Sequence, residues 1–108
     1  MSTKVDLNNI MDITGAEAAL IADHEGNLIE SVNVEYDKNI AAMIQMAFTM
    51  NRDLSKDIGN GDLEQVFARS SDGFFVANKL QSNHIIMLLS KDNSKLGMLL
   101  KMLSTISK

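Results

Sequence analysis

Between Asp37 and Ile58 the chain runs through a single helical pattern with no proline to interrupt it, and this stretch limits the fold more than any other. The pattern predicts a helix of about six turns at 3.6 residues each, stopped by "GNG" at 59–61. At its centre, in "IAAMIQMAFTM" over residues 40–50, nine of eleven positions are apolar. At about 100° per residue only Gln45 and Thr49 break the ring. A helix lying on a small sheet needs one apolar face, and this one carries two arcs. Ile40, Ile44, Ala47, Phe48 and Ile58 fall in the first; Met43, Met46, Met50 and Leu54 fall in the second, beside it. Either one broad arc packs under the sheet, or the first arc faces the sheet and the methionine arc faces a partner. Methionine serves an adaptable interface and a core equally well, so both roles stay open at this point.

The flanks of the helix set its surroundings. "VDLNNIMDIT" places Leu7, Ile10 and Met11 at helical spacing, and Gly15 stands where a glycine stops a short helix. "AALIAD" and "LIESV" read as two strands of an antiparallel hairpin. After the long helix, "LEQVFARS" and "FFVANKL" flank "SDG" as a second hairpin, and "HIIMLLS" is a fifth strand. A last helix follows "KDNS", whose Asp92, Asn93 and Ser94 are all capable N-caps, and carries Leu96, Leu99, Leu100, Leu103 and Ile106 on one stripe. Helix, two strands, long helix, three strands, helix is an α+β order. Only the first and fifth strands are apolar throughout, which puts them at the centre of the sheet. With hairpins joining neighbours, the simplest antiparallel order is 2-1-5-4-3.

Composition narrows the function. A chain of 108 residues with 45% hydrophobic and 22% charged content has room for one domain, 1–108. The net charge of −4 and the scattered basic residues leave no footprint for nucleic acid. No apolar run approaches the roughly 18 residues of a membrane span, and the N-terminus shows no leader, so the expectation is a cytoplasmic protein without a membrane partner. Cysteine is absent, which removes disulfides and thiolate chemistry.

Three stretches invite chemical readings. "ADHEGNL" packs Asp23, His24, Glu25 and Gly26 together, but with Gly26 as the sixth position of a calcium loop, Ile21 and Val32 would have to be ligands. His24 and His84 are the only histidines and have no zinc spacing. Adjacent carboxylates on a solvated turn have nothing to separate their pKa values. The stretch reads as a type I turn with a G1 bulge, Gly26 taking φ > 0 and Asp23 and Asn27 supplying local hydrogen bonds. "GNGDLE" follows a helix and opens a strand, the reverse of a phosphate loop, and lacks its lysine; it reads as a helix stop. No serine sits in a nucleophile motif. No catalytic residue, cofactor or metal is expected.

The chain resembles the roadblock/LC7 domains, which have a profilin-like fold. The likeness spans nearly the whole sequence and shows most clearly in "GAEAALIADHEGNLIES", in "NIAAMIQMAF", in "HIIMLLS" and in "NSKLGMLLKML". It implies a three-layer α/β/α arrangement on a sheet of order 2-1-5-4-3, and dimers in which third strands pair across a twofold while long helices pack side by side. It also implies a helical platform that binds Ras-like small GTPases or scaffolds motor and signalling assemblies as a light-chain-like adaptor. The termini are shorter than in the GTPase-activating members, which weakens the expectation of activation but not that of dimerisation. As an edge, "LEQVFARS" has no proline and one central basic residue, so a symmetric copy is the closed way to pair it. The expected homodimer interface is therefore Met43, Met46, Met50, Leu54, Val66 and Ala68. A polar strip of Gln45, Thr49, Arg52 and Lys56 is expected to meet the GTPase. An alternative is a small-molecule sensor of PAS or GAF type; those folds surround a ligand with several short helices, whereas one long helix here is expected to leave no cavity.

Overall fold

The computed structural model describes residues 6–106; Val5, which opens the first helical pattern, lies outside them. α1 (Leu7–Thr14) begins at Asp6, whose carboxylate accepts from the Asn9 N–H, and ends at Gly15, whose N–H reaches the Met11 carbonyl. β1 (Ala18–Ala22) and β2 (Leu28–Val32) form the first hairpin, followed by α2 (Asp37–Asp57). β3 (Gln65–Ser70), β4 (Gly73–Lys79) and β5 (Ile85–Ser90) come next, and α3 (Leu96–Ile106) closes the order after a 3₁₀ turn at Asn93–Lys95. The Asp92 carboxylate caps that turn, accepting from both the N–H and the hydroxyl of Ser94. The five strands form one antiparallel sheet of order β2-β1-β5-β4-β3, as the hydrophobic patterns predict.

Central strands buried on both faces divide the core in two. Ala19 and Ile21 of β1 point into a cluster with Val76, Ile86, Leu88, Leu99 and Leu103, beneath α1 and α3. The alternate residues Leu20 and Ala22 point the other way, to Ala41, Ile44 and Phe48 of α2 with Ala77, Ile85 and Met87. All five β1 residues are buried, and so are five of the six in β5. The result is helices on both faces of the sheet, three layers in all.

The strand ends are shorter than their apolar letters suggest. Leu63 and Glu64 precede β3, Leu80 leaves β4 and His84 stops short of β5. Leu80 and His84 instead close the intervening turn, the Leu80 N–H bonding the His84 carbonyl at 2.7 Å. The β1–β2 turn has the bonds of a type I turn closed by a G1 bulge: the Gly26 N–H bonds the Asp23 carbonyl, the Asp23 N–H bonds the Asn27 carbonyl, and Gly26 has φ 88°. A second irregularity lies between Ile21 and Ala22, where the pairing skips Ile29.

Candidate interaction surface

The width of the sheet decides what α2 can cover. Five strands about 4.8 Å apart span roughly 20 Å, while a helix with its side chains is about 10 Å across. Two helices share one face; α2 has the other to itself. It lies mainly over β1, β2 and β5, and on its side Ala77 of β4 is buried against it while Phe75 and the β3 residues Val66 and Ala68 are only partly covered. Beside it runs an apolar groove of about 560 Å³, walled by Ile40, Met43, Ile44 and Ala47 of α2 and floored by Phe75, Met87 and Leu89. Its ends are the Asn33–Glu35 loop and the β3–β4 turn. The long helix fills its own segment but not the width of the sheet, and what it leaves beside it is an open groove rather than an enclosed cavity.

The two apolar arcs of α2 separate as their spacing requires. Ile44 and Phe48 are buried together with Ala41, and Ile40 and Ala47 are half-buried. Ile58 does not join them; it is 60% exposed, because it is the C-cap and the chain has already left helical geometry there. The second arc faces solvent: Met43 is 58% exposed, Met46 55%, Met50 71% and Leu54 55%. On β3, Val66 pairs with Ala77 and Ala68 with Phe75, so both sit on the α2 side of the sheet, and both are half-buried. The six residues expected at a dimer interface thus lie on the α2 side of the sheet, and of them only Met43 lines the groove. Phe67 and Arg69 point to the opposite side, where the Phe67 ring lies 6.0 Å from that of Phe74.

The polar strip is less uniform. The Gln45 side-chain amide donates to the His24 carbonyl and to the Thr49 hydroxyl, each at 3.0 Å, which ties α2 to the β1–β2 turn. Arg52 and Lys56 stand free of that turn and exposed, each beside a carboxylate at 3.7 Å, Asp53 and Asp62 respectively. At such exposure each pair adds little to stability and leaves its cation accessible. Charge elsewhere is local. Asp23 accepts from the N–H groups of Asn27 and Glu25 and from the Asn27 side chain, and the Asn27 backbone bond above all holds its carboxyl below the usual carboxylate range. Hydrogen bonds from the Ser94 side chain and N–H do the same for Asp92. Among the described residues, no group of three or more His, Cys, Asp or Glu side chains could hold a metal ion, and no helix is long and apolar enough to cross a membrane.

Sequence reasoning missed the groove and its floor. Its one available signal was the "FF" pair at 74–75: adjacent strand residues face opposite ways, so one phenylalanine had to lie on the single-helix face. Phe74 is buried under α3, and Phe75 is the half-buried floor residue. Nor did the sequence flag Tyr36, the residue before α2, which is 77% exposed at φ 55° and caps nothing with its side chain.

A five-stranded antiparallel sheet with one long helix on one face and two shorter helices on the other defines the profilin-like class. Residues 3–91 match the model of the Roadblock/LC7 domain, and the chain belongs to that family. Solved structures with the same fold include MglB of Myxococcus xanthus, with a TM-score of 0.76 at 14% identity over 90% of this chain and 84% of that one. The gliding protein MglB of Thermus thermophilus gives 0.76 at 15% identity over 91% and 79% of the two chains. A Roadblock/LC7 domain from Streptomyces avermitilis gives 0.73 at 18% identity over 92% of each. No curated protein matches the sequence.

Proposed function

We propose that the protein is a non-enzymatic homodimer that regulates or scaffolds a Ras-like small GTPase, docking it on a platform of two α2 helices. One observation carries this reading: an exposed methionine stripe and an apolar groove lie on the α2 side of a sheet whose edge strand β3 is unpaired. A second copy related by a twofold axis would pair β3 with β3 and lay its α2 beside this one, covering all three features in a single closed contact. An MglB structure described as a tetrameric arrangement supports association within the fold. Family membership supports a small GTPase as the partner, and the exposed cations Arg52 and Lys56 would border the platform where that partner could reach them.

The groove's apolar lining favours one second reading, a small-molecule sensor. Affinity capture from the source organism's extract, with native mass spectrometry of the purified protein alongside, separates the two. Retention of a Ras-like GTPase by a ligand-free dimer is the expected result. A stoichiometric small molecule in the groove, with no GTPase retained, would overturn it.

A further inference from the structure

The "GNG" loop ends α2 and plays no part in the surface described above. Its hydrogen bonds are those of a Schellman stop: the Asn60 N–H reaches the Ser55 carbonyl at 2.8 Å and the Gly59 N–H the Lys56 carbonyl at 3.1 Å. The Ser55 hydroxyl in turn holds the Gly61 carbonyl at 2.8 Å. The Asn60 N–H and the Gly61 carbonyl are thus held, and the Asn60–Gly61 peptide group between them lies beyond the helix end. Asn60 and Gly61 are exposed, and among the described residues no hydrogen bond engages the Asn60 side chain or the Gly61 N–H.

We infer that Asn60 is a self-modification site, at which the protein converts its own asparagine to aspartate and isoaspartate. The Gly61 N–H loses its proton to solvent, and the nitrogen forms a bond to Asn60 Cγ. The Cγ–Nδ2 bond breaks and the nitrogen leaves as ammonia, taking a proton from water. The five-membered imide is then opened by water, at Cγ to give aspartate or at the main-chain carbonyl to give isoaspartate; nothing is oxidised or reduced. The approach requires a following residue without a side chain. Asn60 is the one asparagine in the sequence followed by glycine. A Cβ at Gly61 would meet nothing within 4 Å, so solvent has free access, and the residue's φ of 81° is one that glycine adopts without strain. Four of the other asparagines are held: Asn27 donates to Asp23, Asn33 to the Glu17 carbonyl and Asn51 to the Ala47 carbonyl, and Asn78 is buried. The remaining exposed ones, Asn8, Asn9, Asn39, Asn83 and Asn93, are each followed by a residue with a side chain.

The product matters because of where it lies. Isoaspartate routes the main chain through its β-carbon and adds a carboxylate at the C-terminal end of α2, where the helix dipole is already negative. The lengthened link joins α2 to β3, so ageing at Asn60 displaces the two elements from their counterparts in the second copy; this consequence rests on the dimer reading above. The test is peptide mapping with fragmentation that separates aspartate from isoaspartate, on protein held at mildly alkaline pH. Asn60 should convert while the other asparagines stay intact, Gly61→Ala should slow the conversion, and Asn60→Gln should abolish the isoaspartate signal in that peptide. Survival of Asn60 as long as exposed Asn93, which is followed by serine, would overturn the site. Sedimentation of aged against fresh protein should show dissociation beyond that of aged Asn60→Gln. An aged, converted dimer that stays intact would overturn the link to assembly, whereas a monomer when fresh would overturn the dimer reading alone.

Discussion

Gly26 and Gly59 have nearly the same backbone, φ 88° and 85°, in very different surroundings. A Cβ on Gly59 would meet nothing within 4 Å; one on Gly26 would lie 3.3 Å from the Ala42 Cα and 3.7 Å from the Gln45 Cβ. Alanine at either site incurs the left-handed penalty of an L residue, about 1–2 kcal/mol. At Gly26 the new methyl also presses on the backbone of α2, which cannot swing aside as a flexible side chain would. A mild overpacking cost of about 1 kcal/mol adds to the strain there. Gly26→Ala should therefore cost about 2–3 kcal/mol and Gly59→Ala about 1–2, and Gly26→Val should exceed both. Urea unfolding followed by circular dichroism at one fixed protein concentration measures the difference, provided the m-values agree. Equal losses at the two glycines would refute the contact between the turn and α2. A neutral Gly26→Val would refute the turn geometry itself.

Tyr36→Gly should stabilise the fold by about 0.5–1 kcal/mol, since relief of the left-handed strain exceeds the entropy that glycine adds to the unfolded chain; a lower melting temperature would show that the exposed ring makes a contact worth more than the strain. The carboxyls of Asp23 and Asp92 titrate below their unfolded values, so each stabilises the fold above the ordinary carboxylate pKa and loses that contribution as pH falls through the lower folded value. NMR titration should find both below the carboxyl of an aspartate in an unfolded peptide, and values at or above it would remove their hydrogen bonds. Met46→Glu together with Met50→Glu should give monomer or aggregate by light scattering, with an unchanged dimer counting against the stripe. Arg52→Ala should weaken GTPase binding and leave turnover at saturation nearly constant. A loss of about 10³-fold at saturation, the scale of a missing arginine finger, would make Arg52 catalytic.

Much of this architecture is legible in the letters because the constraints are local. Gly15, Gly26 and Gly59 mark the ends of α1, β1 and α2, and the unbroken apolar runs of β1 and β5 place them centrally in the sheet. The interaction surface is legible only in part. The spacing of Met43, Met46, Met50 and Leu54 fixes that they share a side of α2, and Ile44 and Phe48 fix the side that is buried. The groove is not local: it arises because a helix about 10 Å wide lies on a sheet twice as broad. The role of Gln45 is hidden for a similar reason, since its bond to the His24 carbonyl depends on the hairpin leaning against the helix. Ile58 matches the buried arc by spacing, yet the helix ends one residue too early to hold it there.

The proposed platform exists only if two copies associate through α2 and β3. Sedimentation equilibrium of the unmodified protein at micromolar concentration tests this most directly. The predicted result is a single species with the mass of two chains, shifted to one chain or to aggregate by Met46→Glu with Met50→Glu. A monomer at that concentration, with the methionine stripe and the β3 edge open to solvent, would contradict it.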